Sequence, residues 1–263
     1  MADIISTLKF IKHISDYYIR HKNRYFIAEK GLPDNTIVYR DGRYFFSPNN
    51  LLIYKIWENH CTEGHNRKEV SDFLDLIEGK SSLLDVGASS GMFSCIFNSE
   101  KSSGHIVSVE PDRNSFTFLL ESLSLNNKGK NTWTAENAAV SNSDGEVSFV
   151  DGAFGGTIGE SGSTRPAYTL QSICKKNNLS PDVIKIDIES FEYEVVMNSV
   201  EFLQQHPVRL QIEIHNTIIR ERGLDPEKVY STLREIGFRG VGHEGDLDRK
   251  QLTKEVCHFH LIK

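Results

Sequence analysis

Hydrophobic runs and amphipathic stretches alternate along the middle of the chain. Apolar runs of strand length fall at residues 82–86, 105–110 and 131–136, and stretches with helical spacing fall between them at 91–98 and 114–125. Parallel strands need a crossover connection, so strands that alternate with helices predict a parallel sheet with helices on both faces. We therefore predict an α/β fold with a mostly parallel, doubly wound sheet.

The alternation continues to the C-terminus. Helices are predicted at about 168–178, from about 191 and at 226–236, and strands at 146–150, 183–187, 208–215 and 255–262. Asp225 is placed to cap the helix at 226–236, which ends near Gly237. The glycine- and serine-rich residues 151–163 predict a mobile loop instead.

The N-terminal part has a pattern of its own. The spacing of apolar residues predicts an amphipathic helix at 3–20. Lys9 and Lys12 interrupt the apolar run, so we expect neither a signal peptide nor a membrane span there. A hairpin is predicted at 36–39 and 44–46 around Asp41-Gly42, followed by helices at 51–58 and 67–77. We interpret residues 1–70 as an extension that forms a lid or a homodimer contact, and residues 71–263 as the main domain.

Composition narrows the classes of function. The chain has 30 Lys and Arg against 36 Asp and Glu, a formal net charge of −6, and no long basic run. That balance disfavours nucleic-acid binding. The four cysteines lack the spacing of a zinc site or a disulfide framework, which favours a reducing, cytoplasmic setting.

A turn of small residues follows the strand at 82–86 and is suited to a nucleotide cofactor. Gly87 and Gly91 carry no side chain that would hold a ligand away from the backbone, and the amides of the next helix face the same point. The turn lacks the third glycine of a dinucleotide fingerprint, which disfavours a nicotinamide-dependent oxidoreductase. Glu110, which ends the next strand, suits two hydrogen bonds to a ribose diol.

Polar side chains gather at the carboxyl ends of the predicted strands, where open α/β sheets bind ligands. Strand alternation places two polar rows side by side, with Lys185, Asp187 and Glu189 in one and Gln211, Glu213 and His215 in the other. Buried charges must pair, bind a cation or contact a polar ligand. The purely structural alternative is an ion pair between Lys185 and a carboxylate, with His215 as a neutral cap of its strand.

The string from Ile184 to Glu192, with Asp85 to Gly91 upstream, resembles the FkbM family of S-adenosylmethionine-dependent methyltransferases. Further family signatures are similar to Glu110-Pro111, residues 137–141 and residues 212–215, in the same order, so the resemblance covers about residues 80–216. It implies a Rossmann-like methyltransferase fold. Ser89-Ser90 in the turn and Ser190 after Asp187 depart from the family pattern.

The resemblance implies S-adenosylmethionine as cofactor and a set of contacts to it. Asp85 and the turn would hold its methionine end, Glu110 its ribose, and Asn137 with its neighbours its adenine. The residues expected at the cofactor are Asp85, Gly87, Ala88, Ser89, Ser90, Gly91, Glu110, Pro111, Asn137, Ala138 and Asp187.

Methyl transfer is an in-line displacement that needs a positioned and deprotonated nucleophile. We expect Asp187 nearest the methyl group, with Glu189, Glu213 and His215 binding or deprotonating an acceptor hydroxyl. His215 is the preferred base because its unperturbed pKa, about 6.5, lies near neutral pH. A divalent metal ion held by Asp187, Glu213 and His215 is an alternative that we do not favour.

The family's chemistry suggests a small-molecule acceptor, a sugar or a specialised metabolite, that is methylated on oxygen. We expect residues 151–163 and the N-terminal helices to close over it. Three other hypotheses stay open: the nicotinamide-dependent oxidoreductase, a non-catalytic cofactor-binding subunit of another enzyme, and a nucleic-acid methyltransferase, which the acidic balance disfavours.

Overall fold

The computed structural model describes residues 36–39, 42–45 and 64–263, except 128, 130, 153–155, 160 and 190. The helices predicted at 3–20 and 51–58 lie outside these residues, as does Asp41 of the predicted hairpin turn. The hairpin itself is confirmed: its two strands are antiparallel, with Val38 opposite Arg43. The proposed role of residues 1–70 as a lid or dimer contact stays a prediction.

Strands and helices alternate along the described chain. The strands are β1 (Thr36–Tyr39), β2 (Gly42–Phe45), β3 (Ser82–Val86), β4 (His105–Val109), β5 (Thr132–Glu136), β6 (Ala139–Val140), β7 (Gly145–Val150), β8 (Thr157–Ile158), β9 (Ser163–Tyr168), β10 (Val183–Ile186), β11 (Arg209–Ile214), β12 (Arg239–Gly240) and β13 (Cys257–Ile262). The helices are α1 (Gly64–Leu76), α2 (Met92–Glu100), α3 (Arg113–Asn126), α4 (Leu170–Lys176), α5 (Glu192–Asn198), α6 (Val200–Gln205), α7 (Asn216–Glu221) and α8 (Pro226–Glu235), with a 3-10 helix at Arg249–Thr253.

The main sheet has seven strands in the order β12-β13-β11-β10-β3-β4-β5. The five strands from β11 to β5 are parallel, whereas β13 runs antiparallel to both of its neighbours. Helices cover both faces of the sheet, and each face has its own hydrophobic core. Successive side chains of β3 point to opposite faces, so Leu83 packs in one core and Leu84 in the other. The predicted Rossmann-like, mostly parallel sheet is therefore confirmed.

Local signals set several helix ends. Asp112 caps α3 by accepting a hydrogen bond from the backbone amide of Ser115, and Asp225 caps α8 in the same way, as predicted.

The helix α1 crosses the predicted domain boundary at residue 70, and its Val70 and Phe73 are fully buried. Within the described residues, every helix is too short or too polar to traverse a lipid bilayer.

A second sheet was not predicted. Its four strands lie in the order β6-β9-β7-β8, and only β7 had been expected. The predicted loop at 151–163 is in part strand, because Thr157–Ile158 pairs antiparallel with β7, and β9 begins at Ser163. The strands β6 and β8 have two residues each, which is too few to show alternation of polar and apolar residues. The strand β9 contains Thr164, Arg165 and Pro166, so its sequence does not predict a strand either.

Candidate active site

The turn after β3 depends on glycine at two positions. Gly87 has a φ angle of 74°, and a Cβ atom there would lie 1.7 Å from the carbonyl oxygen of Asp187. Gly91 has a φ angle of 87°, and a Cβ atom there would lie 2.7 Å from Cδ1 of Leu119. Ser89 also has a positive φ angle, 49°. The turn therefore brings its backbone directly against the end of β10.

Glu110 is buried at the end of β4 and is held by backbone amides. Its Oε2 atom accepts a hydrogen bond of 2.7 Å from the amide of Ser89, and its Oε1 atom accepts one of 2.8 Å from the amide of Asp112. Burial raises the pKa of Glu110 to about 7, although the two amides oppose that rise. A carboxylate has about four acceptor positions, so two amide donors leave capacity for a diol.

A cavity of about 230 Å³ lies beside this turn. Gly87, Ser89, Glu110 and Pro111 line one part of it, and Phe149, Gly156 and Ile158 of the second sheet line another. The lining also includes Val109, Ala139, Val140, Asp187, Ile188, Glu189 and Phe191. The carboxyl ends of three strands, β3, β4 and β10, and the unpredicted sheet thus line one cavity.

Several residues expected at the cofactor do not line this cavity: Asp85, Ala88, Ser90, Gly91, Asn137 and Ala138. Asp85 is fully buried and accepts a hydrogen bond of 2.6 Å from the hydroxyl of Ser94, and burial raises its pKa. The amide of Asn137 donates to the carbonyl oxygens of Glu110, at 2.8 Å, and Pro111, at 3.2 Å. Asn137 therefore supports the cavity wall from behind, whereas Asp85 is directed at Ser94 of α2.

Lys185 is a buried cation that lies between two carboxylates. Its Nζ atom lies 3.2 Å from Oδ2 of Asp187 and 3.9 Å from Oδ1 of Asp85. Burial lowers the pKa of Lys185, but the carboxylates of Asp187 and Asp85 outweigh burial and raise it overall. The ion pair that was the structural alternative for Lys185 is therefore present, and it leaves Asp187 at the cavity.

His215 lies among three carboxylates. Its Nδ1 atom lies 2.9 Å from Oε1 of Glu192, and its Nε2 atom lies 3.4 Å from both Oε2 of Glu189 and Oε1 of Glu213. Burial lowers the pKa of His215, but these carboxylates raise it to about 9. The preference for His215 as base rested on an unperturbed pKa, whereas a pKa of about 9 favours the protonated imidazole at neutral pH.

Glu213 connects this cluster to a second one. Its Oε2 atom lies 3.4 Å from Nδ1 of His258, which also lies 3.6 Å from Oε1 of Glu69. Burial raises the pKa of Glu213 to about 8, while the pKa of His258 rises to about 9 because its carboxylate neighbours outweigh burial. Among the described residues, two trios have metal-ligand atoms within 4.8 Å of one another: Asp187, Glu189 and His215, and Glu69, Glu213 and His258. The predicted metal trio of Asp187, Glu213 and His215 is neither of these.

Sequence reasoning missed four contributors to the site: Glu69, Phe149, Arg165 and Glu192. Glu192 had been noted only as part of the family string, and its position one residue into α5 is what directs it to His215. Glu69 comes from α1, far away in the sequence. Arg165 lies on the unpredicted β9, so no pattern marked it as buried.

Comparison with known proteins gives the family. A family model described as the methyltransferase FkbM domain matches residues 85–239. Hexuronic acid methyltransferase AglP of Haloferax volcanii is 26% identical over 189 residues, which cover 70% of this chain and 73% of that protein.

Two solved structures are similar. The FkbM methyltransferase from Methylobacillus flagellatus has a TM-score of 0.44 and 16% identity over 68% of this chain, which spans only 43% of that longer chain. The fibrillarin pre-rRNA processing protein of Methanococcus jannaschii has a TM-score of 0.44 and 15% identity, covering 87% of this chain and 82% of that one.

The matched residues 85–239 make up more than half of the 263 residues. They include the glycine turn, Glu110, the Asp187 region and His215. The match supports neither the nicotinamide-dependent alternative nor the non-catalytic one. This chain belongs to the FkbM family of S-adenosylmethionine-dependent methyltransferases.

Proposed function

We propose that this methyltransferase transfers a methyl group to a hydroxyl group of a sugar. The observation that carries the proposal is a single cavity lined by Glu110, which suits a ribose, and by Asp187 and Glu189, which suit an acceptor hydroxyl. The relative named for hexuronic acid supports a sugar as acceptor.

The cofactor contacts are proposed from the lining of the cavity. The backbone of Gly87 and Ser89 receives the methionine end, and the carboxylate of Glu110 accepts hydrogen bonds from the ribose hydroxyls. Pro111 and Val140 provide apolar surface for the adenine. Asn137 acts from behind, since it donates to the carbonyl oxygens of Glu110 and Pro111 without lining the cavity.

Glu189 is the proposed base. It lines the cavity, its side chain is 60% exposed, and burial of the remainder raises its pKa, which favours proton acceptance. The bound cofactor supplies a methyl group on a positively charged sulfur. The acceptor hydroxyl forms the new C–O bond as the C–S bond breaks toward sulfur, and Glu189 accepts the hydroxyl proton.

His215 has a different role in this proposal. As a protonated imidazole it holds Glu189 and Glu213 at 3.4 Å each, and Glu192 holds it in turn at 2.9 Å. It therefore orients the base, Glu189, by charge attraction. Asp187, which lines the cavity and is paired with Lys185, would hold the positively charged sulfonium end of the cofactor by charge attraction.

A metal-dependent version uses the same residues. Asp187, Glu189 and His215 offer the oxygen and nitrogen donors that a divalent ion takes, and a bound ion would acidify the acceptor hydroxyl. We favour the metal-free version, because Lys185 and the protonated His215 already supply positive charge to these carboxylates.

The test is transfer of radiolabelled methyl from S-adenosylmethionine to 4-nitrophenyl glucoside and 4-nitrophenyl glucuronide. We expect label in a sugar product that survives mild alkali, as a methyl ether does. A product that alkali hydrolyses is a methyl ester and would contradict methylation of a hydroxyl. Binding of the cofactor without transfer to either sugar would contradict the sugar proposal.

A further inference from the structure

Arg165 is a buried arginine that contacts two parts of the cavity lining. It is 1% exposed, although it lies on a strand of the smaller sheet. Its Nε atom donates a hydrogen bond of 2.7 Å to the carbonyl oxygen of Pro111. Its guanidinium carbon lies 6.0 Å from the ring centre of Phe149. Both Pro111 and Phe149 line the cavity.

The remaining donors of Arg165 fix the guanidinium in place. The Nη2 atom donates to both carboxylate oxygens of Asp151, at 2.5 and 2.7 Å. The Nη1 atom donates to the hydroxyl of Ser163, at 2.6 Å, and to the carbonyl oxygen of Thr164, at 3.0 Å. A planar guanidinium with five donors can satisfy all of these acceptors at once, which a lysine cannot do.

Asp151 extends the connection to the loop after Glu110. Its Oδ1 atom also accepts a hydrogen bond of 3.1 Å from the amide of Arg113, and Oδ2 of Asp112 accepts one of 2.7 Å from the amide of Gly152. The amide of Asp112 in turn donates to Glu110. The end of β7 and the loop that carries Glu110 are thus joined through charged groups.

We propose that Arg165 is a positioning residue for the adenosine part of the cofactor, and that the four-stranded sheet is the wall that it holds against the Glu110–Pro111 loop. The inference rests on the proposed cofactor contacts, because it concerns the subsite assigned to ribose and adenine. Arg165 itself does not line the cavity. It acts through Pro111, Phe149 and the loop that carries Glu110.

The test uses two probes that share the adenosine part. S-adenosylhomocysteine carries the amino-acid chain, and 5′-methylthioadenosine lacks it. In Arg165→Met and Asp151→Asn we expect the Kd of both probes to rise by at least about tenfold, and by similar factors, because the lost contact lies on the adenosine side. For Arg165→Lys we expect a smaller rise in both Kd values, since lysine keeps the positive charge but lacks the planar set of guanidinium donors.

The control is Arg234→Met. Arg234 also donates to a backbone carbonyl, that of Leu247, and to a carboxylate, that of Glu227, but it lies on α8 and lines no part of the cavity. We expect this variant to lower thermal stability and leave the Kd of both probes unchanged. If the role of Arg165 were purely structural, Arg165→Met would likewise lower thermal stability and leave the Kd of both probes unchanged.

Unchanged Kd values in folded Arg165→Met would overturn the inference, and so would a loss confined to S-adenosylhomocysteine. If Arg165→Met does not fold, unchanged Kd values in Asp151→Asn and Arg165→Lys would overturn it in the same way. Failure of the unmodified protein to bind either probe would instead contradict the proposed cofactor site, and this inference with it.

Discussion

The Nδ1 atom of His215 lies 2.9 Å from Oε1 of Glu192, a carboxylate that is completely buried. That contact fixes the imidazole at the C-terminal end of β11 and aims its other nitrogen at Glu189 and Glu213. Three carboxyl groups, those of Glu189, Glu192 and Glu213, therefore surround one imidazole. The identity of the base and the dependence of stability on pH both follow from this arrangement.

The first prediction concerns stability and pH in Glu192→Gln. The folded-state pKa of His215, about 9, lies above its unfolded value, so its contribution to the free energy of unfolding is complete below pH 6.5 and is lost as pH rises through 9. Removing Glu192 should therefore cost about 2 kcal/mol near pH 6.5 and less at pH 9. Urea unfolding at both pH values measures the difference. A cost that grows with pH would contradict this assignment.

The second prediction concerns Glu189 as the base that accepts the hydroxyl proton. Glu189→Gln should lower kcat by about 10²- to 10⁴-fold, because the amide cannot accept the proton, and should leave cofactor affinity nearly unchanged. Glu201→Gln, on the exposed face of α6, is the control and should keep full activity. Full turnover by Glu189→Gln would remove Glu189 as the base.

The third prediction concerns the glycine turn. Gly87→Ala places a Cβ atom 1.7 Å from the carbonyl oxygen of Asp187, whereas Gly223, with a φ angle of 77°, has nothing within 4 Å of the same position. The control Gly223→Ala should cost about 1 kcal/mol from backbone conformation alone. Gly87→Ala should cost several times more in urea unfolding. Equal costs would show that the turn and β10 are not in close contact.

Much of the fold could be predicted because parallel strands are buried on both faces and appear as apolar runs, as at Ser82–Val86 and Val183–Ile186. The short strands of the second sheet carry too few residues to show a period. Arg165 escaped notice because its burial depends on Asp151 and Pro111, which its own sequence neighbours do not reveal.

The chemistry of the site was partly readable. The place of the glycine turn and Glu110 at a cavity could be predicted, because both lie at strand ends, where open α/β sheets bind ligands. The raised pKa of His215 could not be predicted from the sequence, since it depends on Glu192 and Glu189, which approach the imidazole only in the folded chain. Asp85 was expected at the ligand for its place before Gly87, yet its side chain points to Ser94.

The fourth prediction concerns metal removal. Exhaustive dialysis against EDTA should change the rate of methyl transfer by less than about twofold, because the proposed reaction uses Glu189 and the cations already paired within the site. Activity lost on chelation and restored by Mg²⁺ would establish the metal-dependent version at Asp187, Glu189 and His215.

We propose S-adenosylmethionine as the ligand of the cavity beside Glu110. Calorimetric titration of the unmodified protein and of Glu110→Ala with S-adenosylmethionine, and separately with NAD, tests this proposal. We predict binding of S-adenosylmethionine alone, with an affinity that Glu110→Ala lowers by at least about tenfold, since each charge-assisted hydrogen bond contributes about 1.5–3 kcal/mol. Binding of NAD instead, or equal affinity in Glu110→Ala, would contradict the account.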